Sequence, residues 1–398
     1  MAAAGELVCG GCGAGVAETA GTGAEAQSRH RCAVCGEALS LAPMDREFPI
    51  DAIRLRSPDL WRYAEAIPTF PAKHTVSLGE QITPLVPIRV GVTEALAKCE
   101  FALPTGSYKD RGSAFLISYL RSLGVEEAVE DSSGNAGASM AAYATRAGIR
   151  LKVFCPESAA AEKLAQIQLY GAELVRVPGP RPRATEALLE YVEERREAVY
   201  ASHLWHPMFL EGVRTMAYEI TEQLAWTAPD YVLCPVGAGS ILLGLYDGFG
   251  DLLNAGVISH LPRLIAVQSQ SASAVCRAMR AGADVIEPMS GGPSTLAEGI
   301  ALPAPVRDRQ VLLALRESGG TAVAVSETEI ATGVLAFGRA GFCVEPTSAV
   351  VWSGLERLRA SGEIPAGKTV VVVLSGHGLK AATQIEQLIR SRHSAPHS

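Results

Sequence analysis

Short runs of β-branched and apolar residues alternate along this chain with segments whose apolar positions recur at helical spacing. The runs Arg150–Phe154, Glu173–Val177, Tyr231–Val236, Leu264–Gln268, Ala322–Val325 and Thr369–Leu374 predict strands. Helices fill the gaps. Ser326 with Glu329 predicts a capping box, Ile330, Val334 and Phe337 share the face of the helix that follows, and Gly341 stands where that helix should stop. Further helices are expected at Ile241–Tyr246, Val350–Ala360 and Ala381–Arg390, the last leading into a frayed tail, Ser391–Ser398. The run Glu193 to Glu197 follows apolar Leu188, Leu189 and Val192 and reads as the solvated side of a helix. Strands alternating with helices predict an α/β protein with parallel strands.

With 398 residues, 48% hydrophobic and 19% charged, the chain exceeds what a single core usually supports, and two globular lobes fit. The formal net charge of −7 argues against a nucleic-acid partner, because there is no overall basic field. The start, MAAAGELVCGG, shows no basic region followed by an apolar one, and no apolar run reaches the ~18 residues of a membrane span. The expectation is a soluble, cytoplasmic protein with no membrane partner.

Of nine cysteines, Cys99, Cys155, Cys234, Cys276 and Cys343 are scattered, mostly in apolar segments suited to buried thiols. The other four form Cys9-x-x-Cys12 and Cys32-x-x-Cys35 with nineteen residues between the pairs, the spacing of a zinc ribbon. A redox pair, or a ribbon that has lost its metal, is the alternative. Four thiolates close a tetrahedral Zn²⁺ site, so His30 reads as a surface residue, and the site's expected role is folding or docking of about forty residues too few to make their own core.

Three glycine-containing loops fall where a strand-helix order puts the carboxyl ends of strands: Thr105–Gly112, Asp131–Gly137 and Pro235–Ser240. A fourth, Leu374-Ser-Gly-His-Gly378, follows the most apolar strand. Taken alone, Lys109 beside Asp110 and Arg111 is an ordinary charged cluster; the flanking glycines and small hydroxyl residues change that. A lysine becomes a nucleophile toward an aldehyde when desolvation or a neighbouring cation lowers its pKa from ~10.4, and Arg111 is a candidate for that cation. The loop at Gly237 precedes an apolar helix whose first N–H groups, with Ser240, suit a phosphate. Leu242 stands where a dinucleotide fingerprint has its third glycine, which leaves a tight packing turn as the other reading. Gly362-Glu-Ile-Pro-Ala-Gly-Lys368-Thr369 matches the Walker A pattern, yet it follows a helix and enters a strand, the reverse of a P-loop, so Lys368 is expected to be a solvated loop lysine.

Read together, these segments resemble the fold-type II enzymes that use pyridoxal 5′-phosphate (PLP), and within them threonine synthase and its relatives. The resemblance rests on Ser77–Leu85, Pro104–Gly112, Ser132–Ser139, Glu211–Glu219, the Gly237 loop, Glu345–Ser348 and Leu374–Lys380, all in the family's order. It implies two three-layer α/β/α lobes with a small N-terminal zinc ribbon: residues 1–45 as ribbon and 46–398 as catalytic region, the larger lobe spanning about 46–125 and 205–390 and the smaller about 126–204.

By the same resemblance Lys109 carries the cofactor as a Schiff base and moves the substrate's α-proton, and Asn135 hydrogen-bonds the cofactor's 3′-hydroxyl. Ser133, Gly134, Asn135, Ala136 and Gly137 hold the substrate carboxylate through backbone amides, Gly237, Ala238, Gly239 and Ser240 cradle the cofactor phosphate, and Ser375 faces the pyridine nitrogen. A neutral hydroxyl there does not keep that nitrogen protonated, a setting suited to elimination and replacement at side-chain carbons. Cys9, Cys12, Cys32 and Cys35 would hold structural zinc, and a homodimer is expected.

The implied reaction is conversion of O-phospho-L-homoserine and water to L-threonine and phosphate. This chain departs from many threonine synthases at Ala238 and Ser240, where the family carries asparagine, and at Tyr108, where it carries phenylalanine; Tyr108 is expected to stack or pack. Among Arg89, Lys152, Lys163, Arg214 and Arg277 no cation stands out as a substrate-phosphate ligand. The alternatives are a serine or threonine dehydratase, a β-replacement synthase on a phosphorylated or hydroxylated amino acid, a relative recruited to specialised metabolism and, outside the enzymes, a zinc-ribbon docking protein with an inactive body.

Overall fold

The computed structural model describes residues 7–10, 12–16, 31–32, 34–42, 44–159, 161–195, 197–290 and 294–393. Three short strands, β1 (Leu7–Cys9), β2 (Gly15–Val16) and β3 (Leu39–Leu41), form an antiparallel sheet with β1 central, and α1 (Ile50–Leu55) follows. The hairpin β4 (Leu85–Val90) and β5 (Thr93–Cys99) precedes α2 (Lys109–Ser122) and β6 (Glu127–Glu130). The chain then alternates through α3 (Asn135–Ala147), β7 (Arg150–Pro156), α4 (Ala161–Leu169), β8 (Glu173–Val177), α5 (Arg181–Glu194), β9 (Ala198–Tyr200), α6 (Pro207–Gln223), β10 (Tyr231–Pro235) and α7 (Ser240–Asn254). It closes with β11 (Arg263–Ser269), α8 (Ala274–Ala281), α9 (Asp308–Glu317), β12 (Thr321–Val325), α10 (Glu327–Arg339), α11 (Pro346–Ala360), β13 (Val370–Leu374) and α12 (Ala382–His393).

The expected capping box is present: Glu329 N donates to Ser326 Oγ, Ser326 N donates back to Glu329 Oε2, and Gly341 takes a left-handed φ of 88° beyond the helix end. The final helix runs on to His393, so Ser391 to His393 are helical where a frayed tail was expected; residues 394–398, like His30, lie outside the described residues. Among the described residues no helix is long and apolar enough to cross a membrane.

The chain divides into two compact units, Met1–Gln81 with Lys109–Thr215 and Ile82–Tyr108 with Met216–Ser398. Here α2 falls with α3, since Asp110 and Ser113 near its start meet Ser139.

In the first unit the parallel sheet has the order β8-β7-β6-β9. Ala184, Leu188 and Val192 recur at helical spacing on α5 and pack on Val129, Phe154 and Tyr200. The chain steps from β6 to β7 to β8 and then returns to the far side of β6 as β9. Right-handed crossovers therefore put α5 on the opposite face from α3 and α4, and the topological switch point lies between β6 and β9.

In the second unit the order is β12-β11-β10-β13-β5-β4, parallel except for the β4–β5 hairpin. β10 and β13 are buried along their whole length, as expected of central parallel strands with near-continuous apolar sequence. Val351, Leu355 and Leu358 of α11 join their core. Here the order reverses between β10 and β13, which makes that gap the second switch point.

Candidate active site

Three of the four loops singled out by the glycine pattern, at Asp131, Pro235 and Leu374, sit at the carboxyl ends of strands bordering a switch point, while Thr105–Gly112 comes after β5. After β6 comes Asp131–Gly134, with α3 opening at Asn135. Gly134 N donates to Ser132 Oγ at 3.3 Å, and a Cβ on Gly137 would lie 1.8 Å from Ser132 O, so only glycine allows the loop to fold back on its own helix. Amides in a helix's first turn have no intrahelical acceptor, and those at Asn135 to Gly137 make an anion-binding end. Ser133, Gly134 and Asn135 are half-buried, while Ala136 and Gly137 are buried.

Lys109 begins α2 and is half-buried, its Nζ 5.6 Å from the centroid of the Phe209 ring. Asp110 behind it is fully buried and accepts from Ser139 Oγ at 2.6 Å. Ser139 is four residues beyond Asn135 and so shares its helix face, which ties the starts of α2 and α3 together. Arg111, the cation next to Lys109 in sequence, is buried, and its guanidinium donates from Nη1 to Thr215 Oγ1 at 2.9 Å.

In the second unit Gly237, Ala238, Gly239 and Ser240 link β10 to α7. Gly239 has φ 88° and its absent Cβ would meet Val311 Cγ2 at 2.5 Å, a cradle that a side chain would fill. Ser240 Oγ lies 2.9 Å from Tyr108 Oη, so Tyr108, expected only to pack, reaches the loop through its hydroxyl. Ser375, past β13, is buried; its Oγ lies 3.0 Å from Ser348 Oγ and 3.4 Å from Glu345 Oε1. These contacts place the Glu345–Ser348 motif beside Ser375. Val311 also brings α9 to Gly239, with Arg307 one turn earlier, a buried cation the sequence reading missed, whose pKa burial pushes down to about 10. Arg89, Lys152 and Arg214 pair with Glu94, Glu173 and Glu211.

Cys9, Cys12, Cys32 and Cys35 converge with their sulfurs within 4.8 Å of one another. The Cys9–Cys35 and Cys12–Cys32 sulfur pairs are 3.4 and 3.6 Å apart, close to the roughly 3.8 Å edge of a tetrahedral site with Zn–S near 2.3 Å. Backbone N–H groups of Cys35 and Val34 draw the Cys32 thiol down to about 6. Donor set and spacing fit a zinc ion.

The family model "Pyridoxal-phosphate dependent enzyme" matches residues 76–376, most of the chain. The chain belongs to this pyridoxal-phosphate dependent family. It is 36% identical to a threonine synthase of Methanocaldococcus jannaschii over 83% of this chain and 82% of that protein. With a threonine synthase of Methanosarcina acetivorans it shares 31% identity over 88% of each. Among solved structures, a T.th. threonine deaminase aligns with TM-score 0.64 at 27% identity, covering 75% of this chain and 92% of that one. An L-serine ammonia-lyase of the fungus Rhizomucor miehei has TM-score 0.67 at 22% identity, covering 78% and 98%, and supports the fold-type II architecture alone. As a member of this family the chain is a PLP-dependent enzyme, and an amino-acid substrate is consistent with it.

Proposed function

We propose that this chain is a threonine synthase-type lyase that converts O-phospho-L-homoserine and water to L-threonine and phosphate. The observation that carries this reading is identity of 31–36% to threonine synthases over most of the length of both partners. When bound, the cofactor supplies an electron sink for the carbanion formed at the substrate's α-carbon. Lys109 would hold it through Nζ and, once released, carry the α-proton. Asn135 would orient it by a hydrogen bond, and the amides of Ser133 to Gly137 at the start of α3 would take the substrate carboxylate.

The Gly237–Ser240 loop would hold the cofactor phosphate, with Ala238 offering only its amide and Ser240 a hydroxyl that Tyr108 keeps in place. Ser375 would meet the ring nitrogen as a neutral hydroxyl; its neighbours Ser348 and Glu345 fix its direction. Cys9, Cys12, Cys32 and Cys35 would bind structural Zn²⁺, and we further assign a cytoplasmic homodimer, with neither nucleic acid nor membrane as partner.

A second reading, deamination of serine or threonine, is favoured by the 27% identical threonine deaminase. The test is an absorption spectrum of the pure protein with PLP, then addition of O-phosphohomoserine with phosphate and amino acids quantified. A visible band lost in Lys109→Ala, with phosphate and threonine formed in equal amounts, is the expected result. A band with ammonia and a 2-oxo acid from serine or threonine selects the deaminase, and incorporation of another nucleophile selects a β-replacement synthase. Absence of any band would leave a docking protein with an inactive body.

A further inference from the structure

At the switch point of the first unit lies a cluster with no part in the cofactor and substrate contacts proposed for this chain. Glu130 is the last residue of β6 and wholly buried; His203 follows β9 and is also buried. His203 Nδ1 and Glu130 Oε1 are 2.6 Å apart, while Glu130 Oε2 has no hydrogen-bond partner among the described residues. Asp131 beside it is satisfied, accepting from Tyr200 Oη at 2.9 Å and Thr185 Oγ1 at 2.7 Å. The His203 ring packs on Phe209 with centroids 6.0 Å apart, and it is over this same Phe209 ring that Lys109 Nζ lies.

Burial, and after it the Asp131 charge, pushes the Glu130 carboxyl well above its ordinary range, against the opposing charges of Arg181 and Lys109. Burial, then the charges of Lys109 and Arg181, pushes His203 well below its own. Both groups are thus driven to their uncharged forms, in which the carboxylic acid donates to Nδ1. Buried polar atoms without a partner are rare and concentrate where a site works.

We propose that Glu130 and His203 are a positioning pair for Lys109: by holding one proton between Glu130 and Nδ1 of His203, they withhold a negative charge from the surroundings of that amine. The inference rests on reading Lys109 as the cofactor lysine. An anion nearby would favour the ammonium form and slow any step that needs the free amine. Loss of that proton leaves a carboxylate near the amine, which favours the ammonium form of Lys109. The other charged groups that face the pair are Asp131, which accepts from Tyr200 and Thr185, and Arg181.

The test follows capture of added PLP by the cofactor-free protein, through its visible absorbance, across the neutral to alkaline range; the midpoint of the rate reports the amine of Lys109. Glu130→Gln keeps the shape but cannot ionise, and is expected to lower that midpoint by about one pH unit. His203→Leu removes the acceptor, lets Glu130 ionise earlier, and is expected to raise it. A residue that merely packs would not move the two variants in opposite directions. Failure of the wild type to capture PLP would defeat the reading of Lys109 itself. Capture with an unmoved midpoint in Glu130→Gln, or shifts of one sign in both variants, overturns the pair; should His203→Leu not fold, Glu130→Gln decides alone.

Discussion

Two buried ionisable clusters, one in each unit, solve the same problem in opposite ways. In the second unit Lys98 is fully buried, and its Nζ donates to Thr83 O at 2.9 Å, Glu219 Oε2 at 2.7 Å and Gln223 Oε1 at 2.9 Å, using all three of its protons. Thr83 in turn donates from N to Glu219 and from Oγ1 to Glu100 at 2.7 Å. Charge meets opposite charge. In the first unit Glu130 has an acid for a neighbour and one oxygen unmatched, and burial pushes its carboxyl well above the ordinary range. A complete network fixes a fold; an incomplete one leaves a group whose charge is still free to change.

The contrast can be broken most directly at Lys98. Lys98→Met strands the Glu219 carboxylate in the core and is expected to cost about 3–5 kcal/mol, read as a fall in the urea midpoint. Glu130→Gln replaces a neutral donor by a neutral amide of the same size and is expected to cost about 1 kcal/mol or less at neutral pH. Its pH dependence sharpens the comparison. A carboxyl whose folded pKa is raised contributes stability below its ordinary value and loses it as pH rises through the raised one. The wild type should therefore lose stability relative to Glu130→Gln as the solution is made alkaline, and midpoints at two pH values test this.

Much of the fold was legible because its strands are buried on both faces. Glu173–Val177 is the predicted strand residue for residue; the observed bounds of β10 and β13 differ from those predicted by one residue at one end, and those of β11 by one residue at each end. Glycine loops marked both switch points because backbone must approach backbone there, as at Gly137, or leave room for a packed side chain, as at Gly239. What was illegible is pairing at long range. Tyr108 meets Ser240 across 132 residues and His203 meets Glu130 across 73, and neither partner has a local pattern that names the other. The bond from Arg111 to Thr215 is of the same kind, joining residues 104 positions apart.

A third charged contact, on the surface, completes the series with the smallest effect. The segment that imitates a Walker A motif is a loop before β13, where Lys368 Nζ donates to Asp230 Oδ1 and Thr369 N to Asp230 Oδ2, both at 2.8 Å. Burial works to raise the Asp230 carboxyl, but the bonds from Lys368 and Thr369 outweigh it and hold the group below its ordinary value. A depressed folded pKa gives stability that is present above the unfolded value of ~3.9 and lost as pH falls through the folded one. Asp230→Asn should therefore lower the urea midpoint slightly at neutral pH, and the difference from the wild type should vanish as the solution is made acid. Lys368→Ala should leave PLP capture as in the wild type, because an exposed pair in a turn exchanges protein for water at little net gain. A loss of cofactor in Lys368→Ala would mean that the loop serves a ligand after all, and that solvent exposure is a poor guide to which of these three charge clusters does chemistry.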